Sequence, residues 1–121
     1  MRLEPGSLCW VALGTRLPPG HEQGGERPAL IVGEPARAGR PRFPLLWLVP
    51  VTSYQGQSWA DASPGLYPCL AAGSANLPRA SLVLLDQLQA VDVRRILRFL
   101  GRLGPSEYAP VNAGLRTILD C

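Results

Sequence analysis

Thirteen glycines and thirteen prolines are scattered along 121 residues, and they cut the apolar sequence into short runs. The longest of these, Pro44 to Val51, is far too short to span a membrane. Short apolar runs parted by Gly- and Pro-bearing turns are the pattern of a small β protein rather than a helical bundle. Hydrophobic residues make up 46% of the chain and charged residues 17%, enough apolar material for a core. The length suits one domain covering residues 1–121.

Along the chain, Ser7 to Leu13 reads as a strand, and Gly14 to Arg27 as a long exposed loop holding four glycines and two prolines. Pro28 to Val32 is a short buried strand. Gly33 to Arg42 is a second loop, carrying Arg37, Arg40 and Arg42. Leu45 to Val51 is continuously apolar, as a central strand is, with Pro50 predicting a strand end or bulge. Leu66 to Leu70 reads as a strand. Ser81 to Leu85 and Leu88 to Val91 form either one long strand or two joined at Asp86-Gln87. From Asp92, the spacing of Val93, Ile96, Leu97 and Leu100 is helical. A terminal helix over Glu107 to Leu119 places Val111, Leu115, Ile118 and Leu119 inward, with Ser106 as a partial cap.

Several chemistries are excluded by residue type. All twelve basic residues are arginine, so no lysine is present to hold a nucleotide phosphate, form a Schiff base or act as a base. His21 is the only histidine, which excludes a two-histidine ribonuclease and leaves no metal-ligand spacing. No GxSxG elbow is present. Cys9, Cys69 and Cys121 have no CxxC spacing, and the first two, in apolar runs, are expected as buried free thiols. Met1 to Pro5 lacks the apolar stretch of a secretory signal, so a cytoplasmic protein is expected. What remains is a site of arginine, hydroxyl and carboxylate groups, needing neither metal nor cofactor. Such a site suits a phosphodiester, because the planar guanidinium fork matches adjacent phosphoryl oxygens. The net charge of +3 and pI near 9.1 favour an anionic partner.

Three blocks then carry a resemblance. Gly20-His21-Glu22-Gln23-Gly24-Gly25-Glu26-Arg27-Pro28-Ala29-Leu30 is similar to the G-x-E-Q-x-G-x-R-P-A-hydrophobic signature of MazF/PemK toxins. Val49-Pro50-Val51-Thr52-Ser53 resembles that family's strand ending in Thr-Ser or Thr-Thr. Ser81 to Gln87, followed by Val91-Asp92 and Arg95, resembles its S-hydrophobic-DQ-VD-x-x-R block. The blocks keep family order and span Gly6 to about Leu119.

The resemblance implies a mainly β fold, an SH3-like barrel with a C-terminal helix, shared with the CcdB toxins. It replaces the helix at Val93 with a helical turn to Ile96 and a strand to about Leu103. It implies a sequence-specific, metal-independent endoribonuclease cleaving single-stranded mRNA. It also implies a homodimer without membrane attachment, neutralised by a cognate acidic antitoxin. Arg27 and Thr52 are the implied catalytic pair, and Glu22, Gln23, Ser53 and Gln87 the implied RNA-binding residues. Glu22 is also a candidate general base, since a guanidinium keeps its proton. The stretch Gly14 to Pro19 departs from the family's short Asp-Pro-Thr segment.

Each residue has a plainer reading beside this one. Arg27 would be a solvated loop-end charge, Thr52 a strand terminus, His21 an exposed loop residue, and Glu22 an ion-pair brace for Arg27. Trp10 and Trp47 are expected in the core, and Trp59 on the surface, where it could stack on a base. Arg94, Arg95, Arg98 and Arg102 would form a solvated face. The alternative function is a non-catalytic binder on the same fold, such as a gyrase poison or a degenerate antitoxin-binding toxin. Gyrase poisons of the CcdB type end in Trp-Gly-Ile, whereas this chain ends Leu119-Asp120-Cys121.

Overall fold

Seven strands and a C-terminal helix are seen in the computed structural model, which describes residues 2–14 and 20–121. The departure noted at Gly14 to Pro19 therefore lies, from Thr15 onward, outside the described residues. The strands are β1 (Ser7–Ala12), β2 (Glu26–Gly33), β3 (Leu45–Ser53), β4 (Cys69–Leu70), β5 (Ser81–Val83), β6 (Gln89–Asp92) and β7 (Ile96–Arg102). The helices are a single turn, α1 (Ser58–Asp61), and α2 (Pro105–Leu119). All the ladders are antiparallel, in the order β4-β5-β3-β2-β1-β7 with β6 also on β3. No ladder joins β6 to β7, so hydrogen bonds do not close the sheet into a full barrel.

Strand alternation divides the apolar residues between two cores. Cys9, Val11, Ala29, Ile31, Leu46, Leu48 and Val91 fill the space enclosed by β1, β2, β3 and β6, with Ile96 and Phe99 of β7 against them. Leu8, Leu30, Val49 and Val51 face the other way and pack under Val111 and Leu115 of α2. The architecture is thus barrel-like with a helix on one flank, as the resemblance implies. The helical turn and strand near Val93 occur at Val93–Arg95 and β7, where a continuous helix would have had to accommodate Gly101. Ser81 to Val91 resolves into two strands joined by a 3-10 turn, Leu85–Gln87.

Other expectations are corrected. Pro50 marks neither a strand end nor a bulge; it is buried mid-strand, opposite Ala29 with no register shift there. Along that edge β3 passes from β6 (residues 45–48) to β5 (residues 51–53). The missing N–H falls in this handover, while the Pro50 carbonyl accepts from the Leu84 N–H at 2.9 Å. The strand expected at Leu66 shrinks to Cys69–Leu70, because the Leu66 and Tyr67 N–H groups bond back to the Ser63 carbonyl. Cys69 is exposed rather than buried, since in a two-residue edge strand only Leu70 points inward. Trp47 is 45% exposed rather than in the core, alternating outward between Leu46 and Leu48.

In α2, Val111 and Leu115 are buried but Ile118 and Leu119 are each 47% exposed, lining open hollows beside the helix. Its start lies earlier than Ser106. Pro105 occupies the first turn, and the Glu107 carboxylate accepts from the Gly104 N–H at 2.9 Å. No helix among the described residues is long and apolar enough to cross a membrane.

Candidate active site

Ala29 pairs with Pro50 and Leu30 with Val49 in the β2–β3 ladder. The ladder ends at Ala29–Pro50, and two residues beyond it stand Arg27 on β2 and Thr52 on β3. Thr52 pairs with Leu82 of β5, which holds its backbone on that edge. Arg27 begins inside β2 rather than in the loop, paired with Val11 of β1. Both candidate catalytic residues are therefore carried by strands, at the ends where the sheet opens.

The loop before β2 is tied down at both of its shoulders. Leu13 N–H donates to the Gly25 carbonyl at 2.8 Å and Gly25 N–H to the Gly14 carbonyl at 3.0 Å. Gly14 and Gly25 both have positive φ, and a Cβ on Gly24 would sit 2.8 Å from the Gly14 carbonyl oxygen. These glycines let the two strand ends approach closely. Arg27 Nε–H donates to the Gly24 carbonyl at 2.9 Å, and the Gln23 N–H donates to the Gln87 side-chain oxygen at 2.6 Å. Gln23 and Gln87, distant in sequence, thus meet directly. The brace on Arg27 is this carbonyl and not Glu22, with which it forms no ion pair.

Two concavities result. A groove of about 470 Å³ crosses the ends of β2 and β3 and is lined by Arg27, Thr52 and Ser53 together with Trp10, Arg79 and Arg98. Glu22 and Gln87 instead line a smaller hollow with Gly20, His21 and Asp86. Asp86 accepts from the Tyr67 hydroxyl at 2.7 Å, and that bond holds the Tyr67 phenol above its ordinary pKa. The fold therefore gathers Arg27, Thr52 and Ser53 in one groove and Glu22 with Gln87 in another, with Gln23 bridging through its backbone. Glu22 is not in the groove of Arg27 and Thr52, which leaves a base role for it without support. Among the described residues, no group of three His, Cys, Asp or Glu side chains is arranged to hold a metal ion.

Sequence reasoning did not single out Arg79, and it assigned Trp10 to the core and Arg98 to a solvated face. Trp10 was recoverable from alternation. It alternates with the fully buried Cys9 and Val11 on β1 and is itself only partly buried.

A sequence model of the family described as "PemK-like, MazF-like toxin of type II toxin-antitoxin system" matches residues 4–119. The chain belongs to this toxin family. Among solved structures of MazF-type toxins, it is similar to MazF from Deinococcus radiodurans (28% identity, TM-score 0.72, covering 98% of this chain and 96% of that one). It is also similar to a chain of the MazE–MazF structure from the same organism (26% identity, TM-score 0.68, covering 99% and 98%). An endoribonuclease in complex with its cognate antitoxin, from a Mycobacterial species, shares the fold at 19% identity (TM-score 0.68, covering 97% and 94%). No curated protein matches the chain by sequence. The mainly antiparallel sheet with its C-terminal helix is thus the MazF toxin fold.

Proposed function

We propose that the chain is a sequence-specific, metal-independent endoribonuclease toxin that cleaves single-stranded mRNA. In this reading Arg27 and Thr52 are catalytic, and Glu22, Gln23, Ser53 and Gln87 contact RNA. The observation that carries it is that Arg27 and Thr52, at the ends of β2 and β3, line one groove with no carboxylate among its lining residues.

RNA brings its own nucleophile. The 2′-oxygen attacks the adjacent phosphorus and loses its proton, the bond to the 5′-oxygen breaks, and that oxygen gains a proton. The products are a 2′,3′-cyclic phosphate and a 5′-hydroxyl. The protein must align the phosphate and stabilise the charge that builds on its oxygens. With Nε–H committed to the Gly24 carbonyl, the guanidinium plane of Arg27 is set, and its terminal amino groups remain for two phosphoryl oxygens. Thr52 adds a hydroxyl donor on a backbone held by its pairing with β5. Arg27→Ala should lower turnover by about 10²–10³-fold, the usual cost of losing a preorganised transition-state donor. Thr52→Ala should lower turnover as well. Wild-type turnover in Arg27→Ala, measured on a fluorogenic single-stranded RNA, would remove this assignment.

The family and the MazE–MazF structure of a similar toxin support a further reading: a cognate antitoxin neutralises this chain. The toxin acts as a homodimer, and an acidic antitoxin segment competes with RNA for the same arginines.

A further inference from the structure

The groove holds more than the candidate catalytic pair. Three of its lining residues, Arg27, Arg79 and Arg98, are arginines, and none of the lining residues is Asp or Glu. None of these three arginines forms an ion pair among the described residues, whereas Arg2, Arg37, Arg94 and Arg102 are all paired with carboxylates. Trp10 lines the same groove. Its indole N–H donates to the Glu26 carboxylate at 3.2 Å, which turns the polar edge of the ring to a residue outside the groove lining. The Arg98 guanidinium stands 5.9 Å from the ring centroid. It can leave that loose contact for a phosphate without breaking an ion pair. An aromatic face beside uncommitted arginines is how proteins hold a nucleotide of a single strand: the ring stacks on the base and the cations take the phosphate.

We infer that Trp10, Arg79 and Arg98 form a nucleotide subsite, separate from the Arg27–Thr52 pair, that holds a base and phosphate of the RNA beside the scissile position. This deepens the nuclease reading and rests on it. The indole face favours a nucleic acid over an acidic peptide, which would use the arginines but leave the ring without a stacking partner.

The test is a binding titration with a mixed-sequence 2′-O-methyl oligoribonucleotide, which lacks the nucleophile and is not cut. The chain has three tryptophans, so replacing Trp47 and Trp59 by Phe leaves Trp10 as the only indole. Its fluorescence should be quenched saturably. Arg79→Ala and Arg98→Ala, both at exposed positions, should each weaken binding and reduce the slope of log Kd against log salt by roughly 0.7. Trp10→Ala should weaken binding about five- to a hundredfold; should it fail to fold, the arginine slopes decide. An unquenched Trp10 at saturation, unchanged salt slopes in both arginine variants, or quenching by an acidic peptide but not by the oligonucleotide would overturn the subsite. RNA cleaved with Trp10 unquenched removes the subsite and spares the nuclease. A quenched Trp10 with RNA left uncut does the reverse.

Discussion

Arg27 and His21 lie six positions apart in sequence yet differ in what holds them. Arg27 sits in a strand with its Nε–H bonded to a carbonyl, whereas His21 lines the outer hollow. His21→Ala should therefore stay within several-fold of wild-type turnover; a loss as large as that of Arg27→Ala would move the active site to the histidine. The cysteines divide just as sharply. Burial in the barrel pushes the Cys9 thiol up to about 11, while Cys69 and Cys121 are exposed. Near pH 8 a thiol reagent should label Cys69 and Cys121 rapidly, and Cys9 only after denaturation. A raised thiol pKa favours the protonated form in the folded state. Its contribution to stability is thus whole below the ordinary thiol value and is lost as pH rises towards 11, which melting curves across that range would register. Equal labelling of all three thiols in native protein would contradict the packing around β1. Asp92, held down by its bonds to Arg94, and Glu107, held down by the Gly104 N–H and Ser74, work in the opposite sense. Their contributions are present above the usual carboxylate range and fade as pH falls through it.

Among the elements, β7 shows why part of the fold was legible and part was not. Periodicity from Val93 to Leu100 is helical, yet Gly101 lies against the Ala75 carbonyl, which an added Cβ would approach to 2.6 Å. Ala75 and Asn76 themselves have positive φ, and the Asn76 side-chain amide donates to the Leu100 carbonyl at 2.7 Å. That tertiary clamp has no local signal in either segment, and only the family pattern of blocks exposed the strand. Gly101→Ala should cost about 1–3 kcal/mol, because the obstructing atoms are backbone and cannot rotate away. A midpoint of chemical denaturation unchanged from wild type would show that the clamp yields. The strands β1, β2 and β3 were legible because their apolar runs are long enough to fill two cores. The ends of β2 and β3 were not: Pro28 suggested the start of a strand that begins at Glu26, and Pro50 an interruption that does not occur. The groove's Arg79 and Arg98 come from separate elements, and nothing local in the sequence brings them to Trp10.

At the scale of the whole molecule, the groove is the proposed common ground of substrate and inhibitor. If an acidic antitoxin segment takes the groove arginines, RNA and antitoxin should exclude one another, and the free toxin should be a dimer at micromolar concentration. Copurifying the chain with a candidate acidic antitoxin and titrating labelled RNA into the complex would check both. A ternary complex with full RNA affinity, or a monomeric free toxin, would count against this arrangement. Cleavage by the Arg27–Thr52 groove without a metal is recorded in the ends of the RNA fragments it leaves. Purified chain incubated with single-stranded RNA in EDTA should produce cuts at a restricted set of sequences, every fragment beginning with a 5′-hydroxyl, and Arg27→Ala should produce about 10²–10³-fold fewer in the same time. Intact RNA in EDTA that is cleaved once magnesium is restored, or an undiminished fragment pattern from Arg27→Ala, would contradict it.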